Sequence, residues 1–219
     1  MQASYELKNQ EAGFLSKLFS GLFERKKKLS LGIYGPVNSG KTTLANRICI
    51  DFAGKKAGSV SRIPHETRSL NVVENVQIKL KSGSSVTIDV IDTPGIATRI
   101  SYRSFLRYGF KKEEAMERAA EAARGVVEAI RSMERVDLAL LVLDSSKDPT
   151  SQVNWVIAGN LRARSIPYIV VANKIDLPYA RPKSVERVFP DERVIPISAL
   201  RGDNVNLLYE AIVELGRSK

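Results

Sequence analysis

Gly35, Gly40, Lys41, Thr42 and Thr43 stand in the run GPVNSGKTT, with Asn38 and Ser39 between the glycines. A lysine and a hydroxyl directly behind two glycines at this spacing suit a loop wrapped around a phosphate. The glycines allow a turn whose N–H groups face an anion, and a helix N-terminus beginning at Lys41 adds its own positive end. In such a loop Lys41 supplies a point charge to the β- and γ-phosphates, and the Thr42 hydroxyl suits Mg²⁺. Gly35 through Thr43 are therefore candidate nucleotide contacts.

Four further groups could complete the chemistry. Asn173, Lys174 and Asp176 lie in NKID, directly behind the apolar run Ile169–Ala172. A carboxylate there can accept both hydrogen bonds that guanine N1–H and its 2-amino group donate, and adenine offers neither. Asn173 would tie this loop to the phosphate loop or to the base, and the Lys174 stem would lie along base and ribose. Ser198-Ala199-Leu200 follows the run Val194–Ile197, and the Ala199 N–H could reach guanine O6. Asp92 begins DTPG; its carboxylate can hold Mg²⁺ through water, and the Gly95 N–H can contact a γ-phosphate. Thr67 is the candidate for a second hydroxyl on Mg²⁺ and a γ-phosphate sensor. His65 and Glu66 beside it read as solvated loop residues or as water-positioning groups.

These residues need a scaffold that brings strand ends together. Leu31–Tyr34, Leu70–Leu80, Val86–Ile91, Asp137–Asp144, Ile166–Ala172 and Val194–Ile197 read as strands. The short turn Lys81–Ser84 makes the second and third antiparallel. Lys41–Ala53, Lys112–Arg131, Ser151–Arg164 and Asn204–Arg217 read as helices, and Pro178–Arg193 as irregular. In Lys112–Arg131 the residues Ala115, Met116, Ala119, Ala122, Ala123, Val126, Val127 and Ile130 predict one apolar face. The sum is an α/β fold with a mixed, mostly parallel six-stranded sheet and one antiparallel edge strand.

The 219 residues carry a formal net charge of +10, which favours a polyanionic partner: nucleic acid, ribosome or anionic membrane. One cysteine, Cys49, excludes an intramolecular disulfide, and one histidine, His65, excludes imidazole pairs within the chain. With no transmembrane run and no signal peptide, the expected compartment is the cytoplasm, with peripheral membrane contact as a variant. Residues 1–28 read as an arm and 29–219 as one domain. Within the arm Phe14, Leu15, Leu18, Phe19, Leu22 and Phe23 would cover about half of a helix surface, and Arg25–Lys28 follow as a basic run. Three readings stand open for that helix: an anionic bilayer, a protein partner, or packing on the domain itself. The stretch Arg99–Lys112 interleaves five cations with Tyr102, Phe105, Tyr108 and Phe110.

GPVNSGKT, Thr67, DTPG, NKID and SAL, in this order, resemble the five motifs of the Ras-like P-loop GTPase superfamily. Within it, DTPG, NKID, Asn38 and the PHETR segment resemble the Era-type branch. The resemblance implies a G domain that binds GTP and GDP with Mg²⁺ and hydrolyses GTP as a switch, in ribosome assembly or another RNA-linked process. A membrane-recruited regulatory GTPase anchored by the N-terminal helix is the alternative, and DNA is not an expected target. In this branch the residue after D-x-x-G is apolar, here Ile96, and cannot orient a water. Asn at position 38 binds K⁺ in several relatives, which implies K⁺-stimulated hydrolysis. Pro36 one place early and Ser39 after the Asn depart from the branch pattern. Era-type proteins carry an RNA-binding KH domain after the G domain, which a chain ending at Lys219 is expected to lack. RNA would then be met by the basic surface or a separate protein.

Overall fold

The computed structural model describes residues 28–60 and 69–218. Continuous apolar runs become central strands because a parallel strand is covered on both faces. Leu138–Asp144 (β4) and Tyr168–Asn173 (β5) are buried at every position, and Leu29–Tyr34 (β1) at all but one. Asn71–Lys79 (β2) and Ser85–Asp92 (β3) alternate between buried and exposed, as strands near an edge do. Val194–Pro196 (β6) completes one sheet in the order β2-β3-β1-β4-β5-β6. All neighbours are parallel except β2 with β3, so the expected single antiparallel edge strand is present. A register shift between Val73 and Val76 bulges the edge strand. Asn75 there adopts φ 59° and donates its N–H to Asp89 Oδ1 at 2.9 Å. Such bulges blunt an exposed edge against pairing with other chains.

Two cores flank the sheet. On one face Leu31, Ile33, Leu140 and Val171 pack against Lys41–Ala53 (α1) and Val205–Arg217 (α6). On the other, Tyr34, Leu141, Val170 and Ala172 meet Lys112–Ser132 (α3), Gln152–Ala163 (α4) and Pro182–Val188 (α5). A third, smaller cluster has Phe105, from the one-turn helix Tyr102–Leu106 (α2), buried against Ala115 and Ala122 of α3. Tyr34 donates or accepts across to Ser132 Oγ at 2.9 Å inside the second core. No helix among the described residues is long and apolar enough to cross a membrane.

Two expectations need correction. Residues 178–193 are not irregular throughout: α5 starts with Pro182 in its first turn, where proline's fixed φ favours a helix, and turns Val185 into the core. The apolar face of α3 is also narrower than its composition suggested. Ala115, Ala122, Gly125 and Ala129 are buried, whereas Met116 and Val127 are about half exposed. Val126 and Ile130 are partly buried against the second core as expected, whereas Met116, Ala123 and Val127 turn outward. The expected helix over residues 14–23 lies outside the described residues. Lys28, the last of the basic run, pairs with Asp89 at 3.0 Å.

Because Phe105 holds α2 on a core of its own, Phe105→Ala should cost about 3 kcal/mol locally. Hydrogen exchange of amides 102–109 should quicken by about two orders of magnitude while β4 and β5 keep their protection. Loss of protection across the whole sheet would contradict this separation.

Candidate functional site

The C-terminal ends of β1, β3, β4 and β5 meet at one rim of the sheet, where crevices of open α/β folds bind ligands. At Gly35 a Cβ would run into the Val142 carbonyl, so only glycine lets β1 turn away beside β4. At Gly40, φ is 96°, and a Cβ would strike the Asn173 amide. The glycine spacing thus has two physical causes here, close backbone approach and a left-handed conformation.

Lys41, the first residue of α1, folds back and donates from Nζ to the Pro36 carbonyl at 2.9 Å. Burial pushes its ammonium down to about 8, the Asp92 charge opposing this and the Lys174 charge adding to it. An anion in the loop would offset that cost, since a buried cation gains most from a charge beside it. Thr42 Oγ1 donates to Asp92 Oδ2 at 2.8 Å. Asp92 is buried at the end of β3, and burial raises its carboxyl above the usual range despite Thr42, Lys41 and Asn71. Its Oδ1 is buried with no hydrogen-bond partner among the described residues, as is Ser39 Oγ. An acceptor kept dry and unpaired in this way suits a cation or ordered water. The DTPG turn is fixed to the phosphate loop by Ile96 N–H to the Gly35 carbonyl at 3.1 Å and to β1 by Thr93 Oγ1 to Ile33 O at 2.7 Å. Gly95 lies against Val37, where a Cβ would crowd the Val37 backbone. The Ile96 side chain turns into the second core and takes no part in the rim.

The NKID loop is bound to the phosphate loop directly. Asn173 Nδ2 donates to Ser39 O at 2.9 Å, and its Oδ1 accepts the Ala199 N–H at 3.0 Å. One side chain therefore joins three loops. The Ala199 N–H is thereby held by Asn173 rather than turned outward for a base. Lys174, with φ 68°, donates from Nζ to Asn38 O at 2.6 Å and to Asp144 Oδ2 at 2.7 Å. Ser198 Oγ donates to Asp176 Oδ1 at 2.6 Å and orients that carboxylate. Leu200 is exposed, and its carbonyl accepts from Arg47 at 2.9 Å. Asn38 and Thr43 flank the loop without being buried. Thr67, His65 and Glu66 lie outside the described residues.

Sequence reasoning missed four residues that hold this rim. Asp144 anchors Lys174, and Ser145 donates from N and Oγ to the Asn173 carbonyl. Arg47 ties α1 to the Ser198–Leu200 loop. Asn46 binds the backbone of Ala57 and Gly58, bringing Gly58 beside Thr42 and Asp92. The one available signal was Asp144 itself, a carboxylate closing an otherwise apolar strand.

A family model described as 50S ribosome-binding GTPase matches residues 30–174. GTPase Era of Rickettsia akari is 32% identical over 191 residues, 85% of this chain and 55% of its own length. GTPase Era of Geotalea daltonii is 29% identical over 192 residues, 84% of this chain and 54% of its own. The chain thus spans about half the length of these curated relatives. A point variant of Aquifex aeolicus Era bound to GDP.AlF4⁻ superimposes with a TM-score of 0.65 at 25% identity, covering 87% of this chain and 57% of that one. Era in complex with MgGDPNP and nucleotides 1506–1542 of 16S ribosomal RNA gives 0.64 at 25% identity, over 86% and 56%.

Burial raises the Asp144 carboxyl, but the bonds from Lys174 and Ser146 outweigh it and leave the group below its ordinary range. A depressed carboxyl contributes stability above its unfolded pKa and loses it as pH falls through the folded value. Asp144→Asn should therefore lower stability by about 1.5 kcal/mol at neutral pH. Denaturation curves of variant and wild type should converge in acid, below the Asp144 titration; a pH-independent gap would refute the anchor.

Proposed function

The chain belongs to the 50S ribosome-binding GTPase family, and from that premise we propose that it binds GTP and GDP and hydrolyses GTP slowly. In this reading it is a molecular switch in ribosome assembly or another RNA-linked process. The observation that carries it is the Asn173 junction, which makes the phosphate loop and the base-reading loop one unit. The 16S rRNA in one structural neighbour supports an RNA partner.

In this reading Gly35–Thr43 enclose the phosphates, with Lys41 at the β- and γ-phosphates. Moving its ammonium from the Pro36 carbonyl to a phosphate replaces a neutral acceptor by an anionic one and adds ion-pair attraction to the bond. Asp176 pairs with guanine N1–H and the 2-amino group, and Lys174 lies along the base. Mg²⁺ fits the buried Asp92 Oδ1, unpartnered among the described residues, beside the Thr42 hydroxyl. Thr42, Asp92 and Thr67 would hold it, and when bound it neutralises charge on the phosphates. The Gly95 N–H senses the γ-phosphate, and the Ile96 N–H bond to the Gly35 carbonyl holds that turn against the phosphate loop. Ile96 is committed to the core and cannot position water. Intrinsic turnover is accordingly slow, on the order of 10⁻⁴ per second.

Two measurements test the site. Asp176→Asn should reverse the donor and acceptor demand of the base pocket. GTP affinity should fall at least about 100-fold and xanthine nucleotides should gain, read by competition binding; unchanged GTP affinity would refute the pocket. If Asn38 holds K⁺, turnover should be faster in KCl than in NaCl, and Asn38→Ala should erase the difference. Equal rates for wild type in both salts would refute the K⁺ assignment.

A further inference from the structure

Between Arg99 and Lys112 the chain carries Arg99, Arg103, Arg107, Lys111 and Lys112 and no acidic residue. All five are exposed, and none forms an ion pair within the described residues. Their presentation follows from packing. Phe105 is buried on the small core of α2 and α3. In a helical turn residues two positions away lie on the opposite side, so Phe105 inward sets Arg103 and Arg107 outward, one turn apart. Lys111 and Lys112 continue the line at the start of α3, beside Glu113 and Glu114 of its first turn. Five exposed cations along one short segment are groups that an external polyanion would neutralise.

Aromatic rings distinguish this surface from a merely solvated basic one. The Phe110 ring is already occupied by the Arg118 guanidinium, 3.9 Å from its centroid. Tyr108 is half exposed, among the cations. Cations spaced along a strap with an exposed aromatic face describe single-stranded nucleic acid, whose phosphates and bases they meet alternately. An acidic protein surface would explain the cations and leave the ring unexplained.

Building on the RNA-linked reading above, we propose that the strap Arg99–Lys112 is a contact surface for single-stranded RNA. The five cations meet phosphates and Tyr108 stacks on a base. The strap begins beside Pro94-Gly95-Ile96, bonded to the phosphate loop, so the same segment that contacts nucleotide presents the surface.

The test is fluorescence anisotropy of an end-labelled mixed-sequence oligoribonucleotide with the full chain, GDP saturating, between about 50 and 200 mM KCl. The triple variant Arg103→Ala/Arg107→Ala/Lys112→Ala should bind RNA more weakly, and its log K against log salt slope should shrink by about 2. Tyr108→Ala should lower affinity about tenfold with the slope unchanged. GDP affinity, measured on the same preparations, should be unaltered in both. Wild type that fails to bind GDP would defeat the GTPase reading on which the proposal rests. Wild type that binds GDP while the triple variant keeps full RNA affinity and slope would overturn the strap alone, as would wild type that binds GDP and no RNA.

Discussion

The contact on which the rim depends is the Asn173 side chain. It spans from β5 to the phosphate loop after β1, although β4 lies between those strands. Amide nitrogen and oxygen are both satisfied, one by Ser39 O and the other by Ala199 N–H. A buried amide with both ends paired is far cheaper than one half paired, so the three loops are favoured together and disfavoured apart. Gly40 follows from this: any side chain there would displace the Asn173 amide. Lys174, bonded to Asn38 O and Asp144, repeats the linkage a few ångströms on.

The same rim holds charge at a cost. Lys41 and Asp92 are both buried, and burial pushes each toward its neutral form. Their mutual attraction does not remove the penalty, and Asp92 Oδ1 has no partner among the described residues. Buried groups that stay under-satisfied are the electrostatic counterpart of a shaped cavity: ligands of the right charge relieve them. On the proposed reading, a phosphate beside Lys41 and a cation beside Asp92 would do so at once.

Much of this was legible in the residues. The glycines of the phosphate loop, the apolar runs of β4 and β5, and the polar motifs at their ends are local signals with local causes. Asn173 was readable as a tie between loops because an amide after a buried strand has few other uses. Asp144, Ser145, Arg47 and Asn46 were not, because each acts on a loop distant in sequence and its own neighbourhood carries no spacing. The face of α3 was misjudged for a different reason. Periodicity counts every apolar residue alike, and Met116, Ala123 and Val127 lie on the side of the helix away from the core that Val126 and Ile130 reach.

The most direct measurement of the account is the GDP affinity of Asn173→Ala against wild type by titration calorimetry. If one side chain holds the base loop to the phosphate loop, the variant should bind GDP at least about 100-fold more weakly. Wild-type affinity in the variant would mean that the two loops find their places without it, and the central claim would fail.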